Sequence, residues 1–86
     1  MTFNQNYPNP AITYTSIEVL ISKPSKIEII IYDINGMKVG TTISNTLTVG
    51  KHTIECDVSK LNPGIYWYQL QSDRQITQPK AMVVCN

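Results

Sequence analysis

Along most of this chain apolar and polar residues alternate with a period of two, the spacing at which a β-strand presents every second side chain to one face. Ser16-Ile17-Glu18-Val19-Leu20-Ile21 opens the first such run, and Ser22-Lys23-Pro24-Ser25 reads as its turn. Lys26-Ile27-Glu28-Ile29-Ile30-Ile31-Tyr32-Asp33 follows, with Ile27, Ile29 and Ile31 on one face and Glu28, Ile30 and Tyr32 on the other. β-Branched residues dominate both runs, and no 3.6-residue apolar stripe competes with them. Asn35-Gly36 tolerates positive φ at both positions and predicts a hairpin leading into Met37-Lys38-Val39. The polar stretch from Thr41 to Val49 reads as a looser edge strand or a connection, punctuated by Gly50. His52, Ile54, Cys56 and Val58 then alternate in phase. A turn from Ser59 to Gly64 feeds Ile65-Tyr66-Trp67-Tyr68-Gln69-Leu70-Gln71. Ser72-Asp73-Arg74-Gln75 closes a further hairpin, and a last strand runs to Val84 with an interruption near Pro79. Short strands with turn signals between them predict an all-β, antiparallel β-sandwich of about seven strands.

Two short stretches refine this picture. Leu61-x-Pro63-Gly64-x-Tyr66 resembles the tyrosine corner of Greek-key sandwiches, in which a tyrosine near a strand start sends its hydroxyl back to upstream backbone. Asn6-Tyr7-Pro8-Asn9-Pro10 precedes the first strand, and its prolines can donate nothing to a ladder. Pro8 and Pro10 are expected to hold the chain extended there, with the Tyr7 ring packed on the sandwich.

Composition narrows the function more than it names it. The 86 residues suffice for one domain, and 42% hydrophobic with 15% charged residues suits a folded one. A net charge of +1, with no Lys/Arg cluster, gives no footprint for nucleic acid. No apolar run approaches the roughly 20 residues of a membrane helix. Met1-Thr2-Phe3-Asn4 lacks the basic and apolar regions of a signal peptide, so an exported protein would be represented here by a fragment.

Candidate chemistry is sparse. The single His52 and the two cysteines, Cys56 and Cys85, fall short of a zinc set, and two unpaired thiols are expected rather than a disulfide. His52 and Cys56, four apart on a strand, would sit about 13 Å apart, beyond hydrogen-bond contact. Asp33, Asp57 and Asp73 adjoin turns, where a short carboxylate bonds nearby backbone. Tyr66 and Tyr68 are expected in the core. Trp67, on the opposite face, is the candidate exposed contact. The sequence predicts no catalytic residues, no cofactor, no metal, and neither a small-molecule substrate nor a nucleic-acid partner.

Taken in order, the motifs match a known pattern: Asn6-Tyr7-Pro8-Asn9-Pro10, Ile17-x-Val19, Ile29-x-Ile31-Tyr32-Asp33-x-x-Gly36-x-x-Val39, Gly50-x-His52, Asp57-x-Ser59-x-Leu61-x-x-Gly64-x-Tyr66-x-Tyr68 and Lys80-x-Met82-Val83-Val84. Together they resemble the type A C-terminal sorting domain of proteins exported by the type IX secretion system. The resemblance runs from about Asn6 to Val84. It implies an immunoglobulin-like sandwich that directs an N-terminal cargo from the periplasm across the outer membrane of a Gram-negative bacterium, to be secreted or displayed at the cell surface. It also implies two partners besides the cargo, the translocon and a sortase-like protease that cuts in the linker ahead of the fold.

On that basis residues 1–6 are the end of a linker or an introduced start, and residues 7–86 the sorting domain. Lys80, Met82, Val83 and Val84 are the expected translocon contacts, reachable by strand addition to the last strand. Tyr7, Pro8, Asn9, Pro10, Asp33, Gly36, Leu61, Gly64 and Tyr66 are expected to be structural. The family commonly ends soon after a basic residue, whereas this chain reads Val84-Cys85-Asn86, and Pro79 could shorten or bulge the final strand. The alternative is an Ig-like adhesion or scaffold module, similar to that of flagellar hook-capping proteins, binding protein or glycan.

Overall fold

The computed structural model describes residues 1–73 and 75–85. Seven strands appear among them: β1 (Thr2–Phe3), β2 (Tyr14–Ile21), β3 (Ser25–Tyr32), β4 (Lys38–Leu47), β5 (Gly50–Asp57), β6 (Gly64–Gln71) and β7 (Lys80–Val84). They form two antiparallel sheets, ordered β1-β2-β5 and β4-β3-β6-β7, so the all-β sandwich expected from the alternation is the observed architecture.

The alternation is also the reason the core forms. Ile17, Val19 and Ile21 of β2, with Ile54 and Cys56 of β5, line one inner face. Ile27, Ile29 and Ile31 of β3, Tyr66, Tyr68 and Leu70 of β6, and Met82 and Val84 of β7 line the other. Cross-strand partners such as Ile17↔Ile54, Ile29↔Leu70 and Tyr66↔Met82 put like with like, since paired residues point to the same side. Fully burying each such side chain is worth about 1.5–3 kcal/mol, which ties the register to the core face.

The stretch 41–49 is the edge strand β4 for most of its length, not a connection. Its pairing with β3 carries register shifts between Lys26 and Glu28 and between Ile31 and Tyr32. At the first shift the Ile27 N–H donates to Ser44 Oγ at 2.9 Å, so a side chain stands in for a ladder carbonyl. The Asn35-Gly36 hairpin is present, with Gly36 at φ 81. Asp33 Oδ1 accepts from the backbone N–H groups of Asn35 and Met37 at 2.9 and 3.0 Å. At the 72–75 hairpin the Ser72 N–H donates to the Gln75 carbonyl at 2.8 Å, while Arg74 lies outside the described residues. The last strand is shorter than expected: Ile76 makes an isolated bridge to Gln71, and continuous pairing begins beyond Pro79.

The N-terminal segment departs most from expectation. Residues 1–6, the expected end of a linker, lay β1 antiparallel to β2 and bury Asn6. The Tyr7-Pro8 and Asn9-Pro10 peptides are cis, and the chain bends through residues 8–10 instead of running extended. The Tyr7 ring is 79% exposed and pins nothing. The Tyr7 backbone does the holding, exchanging two hydrogen bonds with Ser16 at 2.9 and 2.7 Å. Beyond the bend Ala11 crosses to the other sheet and lies parallel to β7 opposite Val84. Residues 2–11 thus form a strap that closes one open side of the sandwich.

Candidate recognition surface at the terminal strand

The side chains of β7 divide by parity. Met82 and Val84 are each 1% exposed and belong to the core, whereas Ala81 and Val83 face solvent. Lys80 is half-buried, its ammonium 5.1 Å from the centre of the Phe3 ring, a cation–π distance. The four residues expected to meet a translocon therefore do not share one accessible face. Val83 is the exposed member, and Met82 and Val84 pack in the core.

The neighbouring strand completes the exposed face. Register pairs Trp67 with Ala81 and Ile65 with Val83, and on the other flank Tyr32 of β3 with Trp67. Trp67 and Ile65 are 42% and 53% exposed, so an apolar patch spans β6 and β7 on the outer face of the four-stranded sheet. Trp67, read from sequence as a separate contact, sits beside the terminal strand. Alternation back from Val83 points to Ala81, but joining both to Trp67 requires the hairpin register. Tyr66 and Tyr68, on the opposite parity, are buried as expected.

Behind this face the strap occupies the outward backbone of β7. Gln5 Nε2 donates to the Ala81 carbonyl at 2.7 Å, and the Val83 N–H donates to Asn9 Oδ1 at 3.0 Å. The Ala11 N–H donates to the Val83 carbonyl at 2.7 Å, and the Cys85 N–H to the Ala11 carbonyl at 2.8 Å. The edge expected to be free for strand addition is covered along these positions. The strap is itself anchored by a buried polar cluster. The Asn6 N–H donates to the Tyr68 hydroxyl at 2.9 Å, and Asn6 Nδ2 to Thr15 Oγ1 at 2.9 Å and the Pro8 carbonyl at 3.1 Å. Thr15 Oγ1 donates to the same carbonyl at 3.0 Å. Gln5 and Thr15 carry no sequence signal for these roles, because side-chain amides and hydroxyls leave the period-two pattern untouched.

The other motif residues sit at turns. The Tyr66 hydroxyl donates to the Asn62 carbonyl at 2.6 Å with Leu61 packed against the core, so the tyrosine corner is realised as Gly64 opens β6. Asp57 Oδ1 accepts from the Ser59 hydroxyl and N–H at 2.6 and 2.8 Å, and those bonds hold its carboxyl below the usual aspartate range. His52, half-buried, meets the Thr48 carbonyl at 2.7 Å. The cysteines are free but unlike each other: Cys56 is buried and Cys85 exposed. Burial pushes the Cys56 thiol up, against a smaller downward effect of its hydrogen bond with Thr42. Burial likewise raises the Tyr68 hydroxyl, partly offset by its bond to the Asn6 backbone. Among the described residues no group of three metal-ligating side chains converges.

The family model for the secretion system C-terminal sorting domain matches residues 5–84. The chain belongs to that family. This sorting domain carries a C-terminal signal for type IX secretion, and nothing in the comparisons supports the adhesion or scaffold alternative. Membership implies interaction with the secretion machinery, an N-terminal cargo, and export to the surface or beyond. The family is non-catalytic. No curated protein and no solved structure gives a match to the chain.

Proposed function

We propose that this sorting domain acts without catalysis of its own, as a portable label that the outer-membrane translocon reads on the outer face of β6 and β7. The family match over residues 5–84 carries the reading. Its recognition face is Ile65, Trp67, Ala81 and Val83, with Lys80 at the margin, while Met82 and Val84 hold the strand in place. A cargo fused upstream travels through the periplasm to the cell surface of a Gram-negative bacterium. There a sortase-like protease cuts ahead of the fold. The pairing of Thr2–Phe3 with β2 supports placing that cut before Thr2, so that the folded unit takes in residues 2–85.

The test is a fusion of residues 1–86 behind a signal peptide and reporter in a host with type IX secretion. The parent fusion is expected outside the cell. Val83→Lys and Trp67→Ala are expected to leave the reporter periplasmic while the domain stays folded by circular dichroism. A parent fusion that stays in the periplasm sinks the reading. Deleting residues 80–86 is a poorer test, because it removes Met82 and Val84 from the core and unfolds what it is meant to probe.

A further inference from the structure

The strap meets β7 with the groups that a neighbouring strand would bring. The outward edge of β7 offers a carbonyl at Ala81, an N–H and a carbonyl at Val83, and an N–H at Cys85. Facing them are one amide N–H, one amide oxygen, one backbone N–H and one backbone carbonyl, from Gln5, Asn9 and Ala11 in that order. This is the donor–acceptor order of an extended chain, half of it supplied by side-chain amides because Pro8 and Pro10 interrupt the backbone. A single strand could replace all four at once.

Between its anchors at Asn6 and Thr15 the strap is lightly held. Tyr7, Pro8, Asn9 and Pro10 are exposed, as are Ile12, Thr13 and Tyr14, so between Asn6 and Thr15 only Ala11 is buried. Few buried apolar contacts and bonds at an exposed edge mark a segment that opens before the rest of a fold. β3 and β6, paired on both sides, have no such exit.

We propose that the outward edge of β7 is a strand-addition site, filled at rest by the Gln5 and Asn9 side chains and the Ala11 backbone, and taken over by an extended segment of the secretion machinery during sorting. The inference rests on the sorting role proposed above. The incoming segment carries a small apolar residue on its inward side, in the place of Ala11, and alternate side chains beside Ala81 and Val83 on the outward side. Main-chain bonds then supply affinity for any cargo, and the exposed patch around Trp67 supplies selectivity. A domain whose strap has been displaced is engaged, and one whose strap is closed is not.

Locking the strap tests this. Ala11 and Val84 are bridge partners on adjacent backbones about 5 Å apart, within reach of a disulfide. Ala11→Cys with Val84→Cys, in a Cys85→Ser background, closes the strap covalently in the oxidising periplasm. The same double variant in a host that lacks periplasmic thiol oxidation carries both substitutions without the link. The expected result is a loss of about tenfold or more in export when the pair is linked, relative to the same pair unlinked. Equal export of the linked variant, with the disulfide verified on a non-reducing gel, overturns the proposal and leaves the sorting role standing. If the unlinked parent is not exported, both fall. Amide exchange on the intact chain gives a second readout. Val83 and Cys85 are expected to exchange faster than Ile30 in β3, and equal protection overturns the displaceable strap.

Discussion

Asn6 uses its backbone N–H, its amide nitrogen and its amide oxygen inside the fold, the last accepting from Gln5 Nε2 at 2.6 Å. Replacing it by alanine strips partners from Thr15 and the Pro8 carbonyl, so Asn6→Ala is expected to cost about 1–3 kcal/mol in urea unfolding. Tyr7→Ala, by contrast, should stay within about 0.5 kcal/mol, because the exposed ring holds nothing and the backbone bonds to Ser16 survive. A large loss at Tyr7 with none at Asn6 would reverse this assignment. Burial raises both Tyr68 and Cys56, so both weigh against the folded state at alkaline pH. Their unfolded forms ionise near 10.0 and 9.0, whereas the folded protein holds both protons to higher pH. The unfolded chain is therefore favoured as those protons leave. Stability from these groups is full below about pH 9 and is lost as pH rises through the folded values. Urea midpoints measured from about pH 8 to 11 should fall along that course, and Tyr68→Phe should flatten part of the slope.

At the scale of elements, the turns and the strands differ in how openly the sequence declares them. Gly36 must sit at φ 81, and Gly36→Ala is expected to lose about 1–2 kcal/mol by thermal or chemical unfolding. Tyr66→Phe should lose about 1 kcal/mol with the bond to Asn62, leaving the ring in the core. Both features were legible because turn chemistry is local. The core faces were legible because the strands alternate, although Ile30, between Thr41 of β4 and Gln69 of β6, is only 6% exposed on the opposite face. The strap was not legible. Proline rules state that residues 8 and 10 donate nothing to a ladder, and they do not foresee Gln5 and Asn9 supplying amides in place of backbone. The candidate site was half legible for the same reason. Val83 and Trp67 could be named singly, but the register that joins them, and the cover over the edge behind them, depend on contacts far apart in sequence.

For the whole molecule, the strap decides which sheet edges meet solvent. A chain lacking residues 1–11 would bare the β7 edge and most of the β2 edge together, and unpaired edges recruit other strands. Size-exclusion chromatography of that truncation is expected to show larger species than the full chain gives. A monomeric truncation would argue that other features protect those edges. The direction of the strap has one more consequence. It runs parallel to β7, with Gln5, Asn9 and Ala11 advancing beside Ala81, Val83 and Cys85. A tension drawn between an upstream cargo and a grip on the chain's last strand would load these bonds side by side, in shear, and break them only together. A competitor entering from the flank could exchange them one by one. The same few contacts thus make a coupling that withstands towing along its axis and yields to being unzipped from the side, a difference that single-molecule pulling in the two geometries would measure as unequal rupture forces.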